Sequence, residues 1–405
     1  MKKYPKSSIT LGVLVIILLT IILLKIVFNI PPSDNSAATV LSQTQIKTTT
    51  QKVFLLGGTN DSLTPLEFND VYSSVDGKNW KLISPQDNLS TTKWSPRKYF
   101  GSNTVYFNNK IWVIGGVGSS NASGVSEVWS SPDGISWNLV TNTAPKACDH
   151  NVVVFNNKMW MISSTGNQTQ NNWYCGNTPL YPTQSQIYYS SDGISWTATN
   201  ISPWGYLDYS SAVVFQNKIW VMGGIGYNSI YSRKTIWSSP DGITWTHVDT
   251  NPTLAGIQDA PWEARDSHTS LVFNNKIWIF GGRGANGSIY NGVLNNDIWS
   301  SPDGINWTLV LSNPPWSTQY QYVGGPSFKG SLFGHSSFVL NGKMFIVHGE
   351  EPSQSCNISG CTGLYGQIWS SPDGINWTKV IPTGDSIAPR YGLSTVVVPV
   401  SDLQK

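Results

Sequence analysis

Short runs in which apolar and polar residues alternate recur along the chain from about residue 52 onward, and they come in two kinds of pair. In the first kind, Val105-Tyr106-Phe107 leads through Asn108-Asn109-Lys110 into Ile111-Trp112-Val113-Ile114-Gly115-Gly116. In the second, Val128-Trp129-Ser130 leads through Pro132-Asp133-Gly134 into Trp137-Asn138-Leu139-Val140. Period-two alternation bounded by turn residues predicts half-buried β-strands joined as hairpins. The turn residues supply the mechanism. Asn-Asn and Asn341-Gly342 tolerate the positive φ of a two-residue primed turn, Pro presets φ, Asp bonds its local backbone, and Gly takes the left-handed position.

Both pairs repeat. The Asp-Gly hairpin occurs six times, at Asp76-Gly77, Asp133-Gly134, Asp192-Gly193, Asp241-Gly242, Asp303-Gly304 and Asp373-Gly374, each followed by a Trp three residues after the Gly. The Asn-Lys hairpin occurs five times. The deficit is made up at the ends of the repeat region, where Val53-Phe54-Leu55-Leu56 is a second strand with no first strand and Tyr391–Val398 is a first strand with no second. Mating these two orphans closes a ring and removes its exposed edges. Six four-stranded blades over residues 52–399 follow, with residues 400–405 left as a tail.

The pattern resembles kelch repeats, in the bacterial, galactose-oxidase-like variety of kelch β-propeller. The residues that carry the likeness are the Gly pairs at 57–58, 115–116, 223–224 and 281–282, the Trp of the third and fourth strands, and an Arg or His ahead of the first strand. The resemblance implies an all-β, six-bladed propeller, a scaffold that hosts many unrelated activities. The third repeat departs from it, with Ser163-Ser164 in place of the Gly pair and a long insertion after them.

Strand order places the short uniform turns on one face and the long, variable 2–3 and 4–1 loops on the other, where ligands are expected. The aromatic residues expected to meet a ligand there are Trp173, Tyr174, Trp204, Trp262, Trp316, Tyr320 and Tyr322, joined by His348. Aromatic faces among Asn, Ser and Gly suit sugar rings or a protein surface. Trp204 and Trp262, like Trp94, also sit at similar offsets before their first strands, which suits wedges between blades instead.

The Asp-Gly hairpins resemble the Asp-box of sialidases with one residue fewer between Asp and Gly. A sialidase also needs clustered arginines for a carboxylate, and this chain has only Arg97, Arg233, Arg265, Arg283 and Arg390. The six Asp are therefore read as turn residues. Galactose oxidase would need copper held by Tyr and His, but His150, His268 and His335 recur five residues before Phe155, Phe273 and Leu340, as a structural column would. No catalytic residue, metal site or cofactor is assigned. The reading is a protein- or glycan-binding module, with a carbohydrate-active enzyme of galactose-oxidase-like or sialidase-like type as the alternative.

Charge narrows the partners. Charged residues are 12% and the net charge is +2, which gives no basic patch for nucleic acid. Ile9–Ile30 is nearly all apolar, long enough to span a bilayer, and preceded by Lys2, Lys3 and Lys6. The expectation is a cytoplasmic basic segment (1–8), a transmembrane signal-anchor helix (9–30), a polar linker (31–51) and an extracytoplasmic propeller. Cleavage near Ser36-Ala37-Ala38, releasing a secreted protein, is the rival. Four cysteines fit export. They allow three pairings, of which Cys148–Cys175 with Cys356–Cys361 is preferred.

Overall fold

A computed structural model describes residues 50–60, 66–87, 92–98, 103–118, 121–146, 150–163, 185–226, 232–251, 254, 256, 258–284, 295–316, 319–321, 327–329, 332–347, 349–352, 362–364 and 366–403. The expected cytoplasmic segment, anchor and nearly all of the linker lie outside them, as do Cys148, Cys175, Cys356 and Cys361. Among the described residues no helix is long and apolar enough to cross a membrane.

The chain from Thr49 onward is a compact all-β unit of six blades. In blade two the order from axis to rim is Thr104–Phe107, Lys110–Ile114, Val128–Ser131 and Asn138–Thr141. The same up-and-down order builds blades three to six, whose innermost strands are Asn151–Phe155, Ser211–Phe215, Thr269–Phe273 and Ser336–Leu340. Blade one is assembled from both ends of the unit. Its innermost strand is Ser394–Pro399, which pairs antiparallel with Gln51–Leu56 in unbroken register from Gln51↔Pro399 to Leu56↔Ser394. The six innermost strands touch one another in sequence, and the last, Ser394–Pro399, touches the first, Thr104–Phe107, so the ring is shut.

Two details differ from the expected layout. The closing strand begins at Ser394 rather than Tyr391, because Tyr391 bridges instead to Thr59 on the loop face. Blade one also has a fifth strand, Thr383–Gly384, running parallel to Asn79–Trp80 at the rim. Asp385 Oδ2 then accepts the Leu82 amide at 2.7 Å and the Tyr72 hydroxyl donates to Ser386 O, so the return segment straps the blade at which the ring closes.

The apolar core lies between blades, in six clusters. One unites Phe54, Leu56 and Val396 of blade one with Ile111, Val113 and Trp137 of blade two. Another joins Val53 and Leu55 to Phe345 and Val347 of blade six. Fully burying each such side chain is worth about 1.5–3 kcal/mol.

The Asp-Gly turns serve this packing. In every turn the Asp Oδ1 accepts two backbone amides and the hydroxyl of the preceding Ser, as Asp303 does from Ile305, Asn306 and Ser301. The following Trp donates its indole N–H to the turn glycine's carbonyl, as Trp307 does to Gly304. A Cβ on Gly304 would lie 2.2 Å from the Trp220 ring of blade four. The same close approach joins Phe54 to Gly134, Trp112 to Gly193, Trp160 to Gly242, Trp278 to Gly374 and, across the closure, Phe345 to Gly77. Each turn is a socket for the aromatic of the neighbouring blade.

Candidate functional site at the mouth of the axial channel

Every innermost strand starts at the loop face, and the residues just ahead of it form the rim of the axial channel. In blades four, five, six and one the residue two places before the strand is left-handed: Tyr209 (φ 53), Ser267 (φ 52), Gly334 (φ 61) and Gly392 (φ 58). Their backbones make a belt. Ser267 N–H donates to Tyr209 O at 2.9 Å, Gly334 to Ser267 at 3.0 Å and Gly392 to Gly334 at 2.8 Å. Tyr209 and Ser267 hold a conformation that costs a side-chain-bearing residue of order 1–3 kcal/mol, and such outliers concentrate at ligand sites.

Beneath the belt, polar side chains stitch one blade to the next. Ser211 Oγ lies 2.8 Å from His268 Nε2, Thr269 Oγ1 2.8 Å from His335 Nε2, and Ser336 Oγ 2.6 Å from Thr395 Oγ1. Asn151 donates to Ser210 O at 2.9 Å, and His150 Nε2 contacts Ile114 O at 2.9 Å. The expected histidine column is therefore present, and each imidazole reaches back to the preceding blade. Burial pushes His335 down to about 3, and burial, the Arg265 charge and His335 hold His268 well below its usual range. Both rings are neutral near pH 7, so each acts as a hydrogen-bonding group.

These groups line a cavity of ≈ 50 Å³ on the axis, bounded by Ser211, His268, Thr269, His335, Ser336 and Ser394 among others. Ser394 Oγ, Ser270 Oγ, Ser337 Oγ and His268 Nδ1 have no protein partner there. Buried polar atoms without a protein partner are satisfied by water or by ligand.

Four of the five arginines fall into two kinds, while Arg233 donates to Trp204 O at 3.0 Å. Arg97, Arg265 and Arg390 are fully buried and do one job. Each donates to the carbonyl of the first glycine of a Gly pair (Gly115, Gly281, Gly57) and pairs with the acid that opens a third strand (Glu127, Asp297, Asp70). Arg283 is different. Its side chain is 21% exposed at the rim, and it pairs with the fully buried Asp266 at 2.7 Å. Ser232 and Ser267 hydroxyls also donate to Asp266, at 2.7 and 2.9 Å, and so fix the carboxylate. The guanidinium carbon sits 5.4 Å from the centres of both the Tyr209 and Phe333 rings. Backbone bridges Arg233↔Arg265 and Asp266↔Arg283 gather three arginines at blade five. A rigidly held, part-exposed guanidinium between two aromatic rings, above a hydroxyl-lined cavity, can receive an anion and hydroxyl groups together.

Three of the aromatics expected to meet a ligand are buried in the described structure. Trp204, Trp262 and Trp316 are 5%, 0% and 3% exposed. Each meets a fourth-strand Trp edge-on, at 4.8 Å (Trp245), 6.0 Å (Trp307) and 5.0 Å (Trp377). Trp94 does the same with Trp137 at 6.0 Å. They are wedges under the 4–1 linkers, and the ring faces expected to meet a ligand are packed. Tyr320 lies in a hairpin, opposite Phe328. Trp173, Tyr174, Tyr322 and His348 lie outside the described residues. Among the described residues no cluster of His, Cys, Asp and Glu could hold a metal ion.

Reading the sequence missed Arg283, Asp266 and the hydroxyl tier. A signal was available, since Asn103, Asn151, Ser211, Thr269, Ser336 and Ser394 occupy one column in the aligned first strands, and an unbroken polar column in the innermost strand marks a wet axis.

No protein-family model matches the chain. It is 25% identical over 256 residues to N-acetylneuraminate epimerase 1 of Escherichia coli O6:H1 (strain CFT073), covering 57% of this chain and 60% of that protein. Against N-acetylneuraminate epimerase of Escherichia coli strain K12 it is 25% identical over 135 residues, 31% of this chain and 30% of the relative. The match thus spans about a third of the length of the one relative and under two thirds of the other. What fold and comparisons share is an all-β, six-bladed propeller with distant likeness to proteins named for an acidic sugar.

Proposed function

We propose that the chain is a kelch-type, extracytoplasmic carbohydrate-binding propeller, held at a membrane by residues 9–30, with its ligand site at the channel mouth around Arg283. The observation that carries the site is Arg283 itself, 21% exposed, clamped by Asp266 and flanked by Tyr209 and Phe333. The names of the distant relatives supply the ligand class, an acidic sugar such as N-acetylneuraminate. In this reading the sugar carboxylate meets the guanidinium, a ring face packs on Tyr209 or Phe333, and hydroxyls reach the Ser/Thr tier. Galactose-oxidase-like membership of the kelch group belongs to the same proposal.

A glycan array probed with the full chain tests this. Sialylated glycans should be retained and their neutral counterparts should not, and Arg283→Lys should lose that preference. Retention confined to neutral glycans would sink the acidic-sugar reading.

A second reading is an enzyme acting on the same sugar. It is favoured by the hydroxyl–imidazole contacts Ser211–His268 and Thr269–His335 at the cavity, and by the word epimerase in the relatives' names. Accelerated interconversion of N-acetylneuraminate epimers, followed by proton NMR and lost in His268→Gln, would favour it; an unchanged rate would leave binding alone.

A further inference from the structure

The face opposite the ligand site carries an apolar ring that neither the packing nor the sugar reading uses. Each blade exposes one aliphatic residue at its Asp-Gly turn: Val75 (45%), Ile135 (56%), Ile194 (58%), Ile243 (47%), Ile305 (39%) and Ile375 (58%). These are six of the eleven large hydrophobics exposed among the described residues, although hairpin tips are ordinarily polar. Inside this ring lies a second one. A lysine stands first in the second strand of five blades and second in that of blade one: Lys110, Lys158, Lys218, Lys276, Lys343 and Lys52. Such stems can lie along apolar matter while their ammonium groups reach phosphate.

The six turn aspartates share this face, so the lysines confer no net positive charge on these turns. Their carboxylates are turned back onto the turn amides, as at Asp192 and Asp373. The aliphatic ring, and not net charge, is the distinguishing feature.

Both ends of the described propeller chain leave from this same face. Gln51 opens a second strand, Pro399 ends an innermost one, and Val400 N–H donates to Thr50 O at 2.7 Å. Residues 1–49 thus join the propeller at the turn face, and they include the apolar Ile9–Ile30 and a polar stretch. About 20 residues separate Ile30 from the propeller, and a coil of that length has an r.m.s. span of roughly 25 Å, which would tether that face close to a bilayer.

We infer that the turn face docks on the surface of a phospholipid bilayer. The aliphatic ring enters the headgroup layer, the lysines meet lipid phosphates, and the channel mouth is turned away from the membrane towards its ligand. This inference rests on the membrane-anchored part of the proposed function and is independent of the sugar.

The test uses the full chain in vesicles of phosphatidylcholine and phosphatidylglycerol with nitroxide-labelled headgroups. A fluorescent amino acid replaces either Ser136, exposed beside a turn, or Glu263, exposed on the loop face. The fluorophore at 136 should lose most of its emission to the quencher, and the one at 263 should keep it. Replacing Ile135, Ile194, Ile243, Ile305 and Ile375 together by Ser should restore emission at 136 while the protein still floats with the vesicles. Flotation with equal quenching at both positions overturns the docking and leaves the anchor standing. A full chain that does not float overturns both.

Discussion

The two faces of this ring are built by opposite rules. On the turn face one arrangement is used six times, with the same Ser–Asp bonds, the same indole-to-glycine bond and an aromatic socketed from the neighbouring blade. Among the described residues of the loop face almost nothing is used six times. The buried Arg–acid pair appears in three blades among the described residues, the left-handed belt in four, and an arginine clamped by a fully buried aspartate between two aromatic rings once, at Arg283. Repetition marks what every blade needs in order to close the ring. The Arg283 arrangement is where the proposed function places the ligand.

That contrast can be broken in order of expected effect. The largest loss should come at the closure, where Arg390 and Asp70 are buried together at 2.6 Å. Asp70→Ala leaves an uncompensated buried guanidinium and should cost about 3–5 kcal/mol in urea unfolding. A loss under about 1 kcal/mol would mean that closure does not depend on the pair.

Next are the turn glycines. Gly304 and Gly342 both have positive φ, 76 and 72, but a Cβ at 304 strikes the Trp220 ring and one at 342 meets nothing within 4 Å. Gly342→Ala should cost about 1–2 kcal/mol for the backbone alone, and Gly304→Ala about 1–3 kcal/mol more for the collision. Equal costs would show that the socket does not matter.

The histidine tier predicts a pH dependence. Folding depresses His268 and His335, with His335 at about 3 against the usual 6.5. Below 6.5 the unfolded chain takes up protons that the folded chain refuses. The stability that His335 contributes is therefore complete above pH 6.5 and falls by about 1.4 kcal/mol per pH unit as pH drops towards 3, and His268 adds a loss of the same sign. His335→Gln should flatten that slope in a pH series of melting temperatures; an unchanged slope would place the protons elsewhere.

The smallest structural effect is expected at Arg283. Arg283→Lys keeps a charge beside Asp266 but loses the planar fork between Tyr209 and Phe333. Stability should change by less than about 1 kcal/mol, while acidic-sugar affinity falls about tenfold, or 1.4 kcal/mol.

How much of this was legible in the sequence follows the same division. Local signals with a fixed spacing could be read. Asp, Gly and Trp at constant offsets gave the turns, and an orphan strand at each end gave the closure, seen in the pairing of Gln51–Leu56 with Ser394–Pro399. The polar column of the first strands could also have been read, but Arg283 and its clamp could not, because their parts are brought together only by the ring. Asp266, Ser232 and Arg283 come from different segments around blade five, and nothing local to any one of them announces the others. The tryptophans show the same limit, since their offsets allowed both a wedge and a ligand contact. Spacing places Trp204, Trp262 and Trp316 in linkers on the ligand-bearing face, but only packing shows their rings turned down onto Trp245, Trp307 and Trp377. The fifth strand of blade one was invisible because Thr383–Gly384 pairs through its backbone and carries no alternating pattern.

The measurement that bears most directly on the account is calorimetric titration of N-acetylneuraminate into the full chain, beside the neutral N-acetylmannosamine and the Arg283→Lys variant. The account predicts saturable heat with the acidic sugar, none with the neutral one, and about tenfold weaker binding in the variant. Equal heats from both sugars, or an affinity that Arg283→Lys leaves untouched, would contradict it.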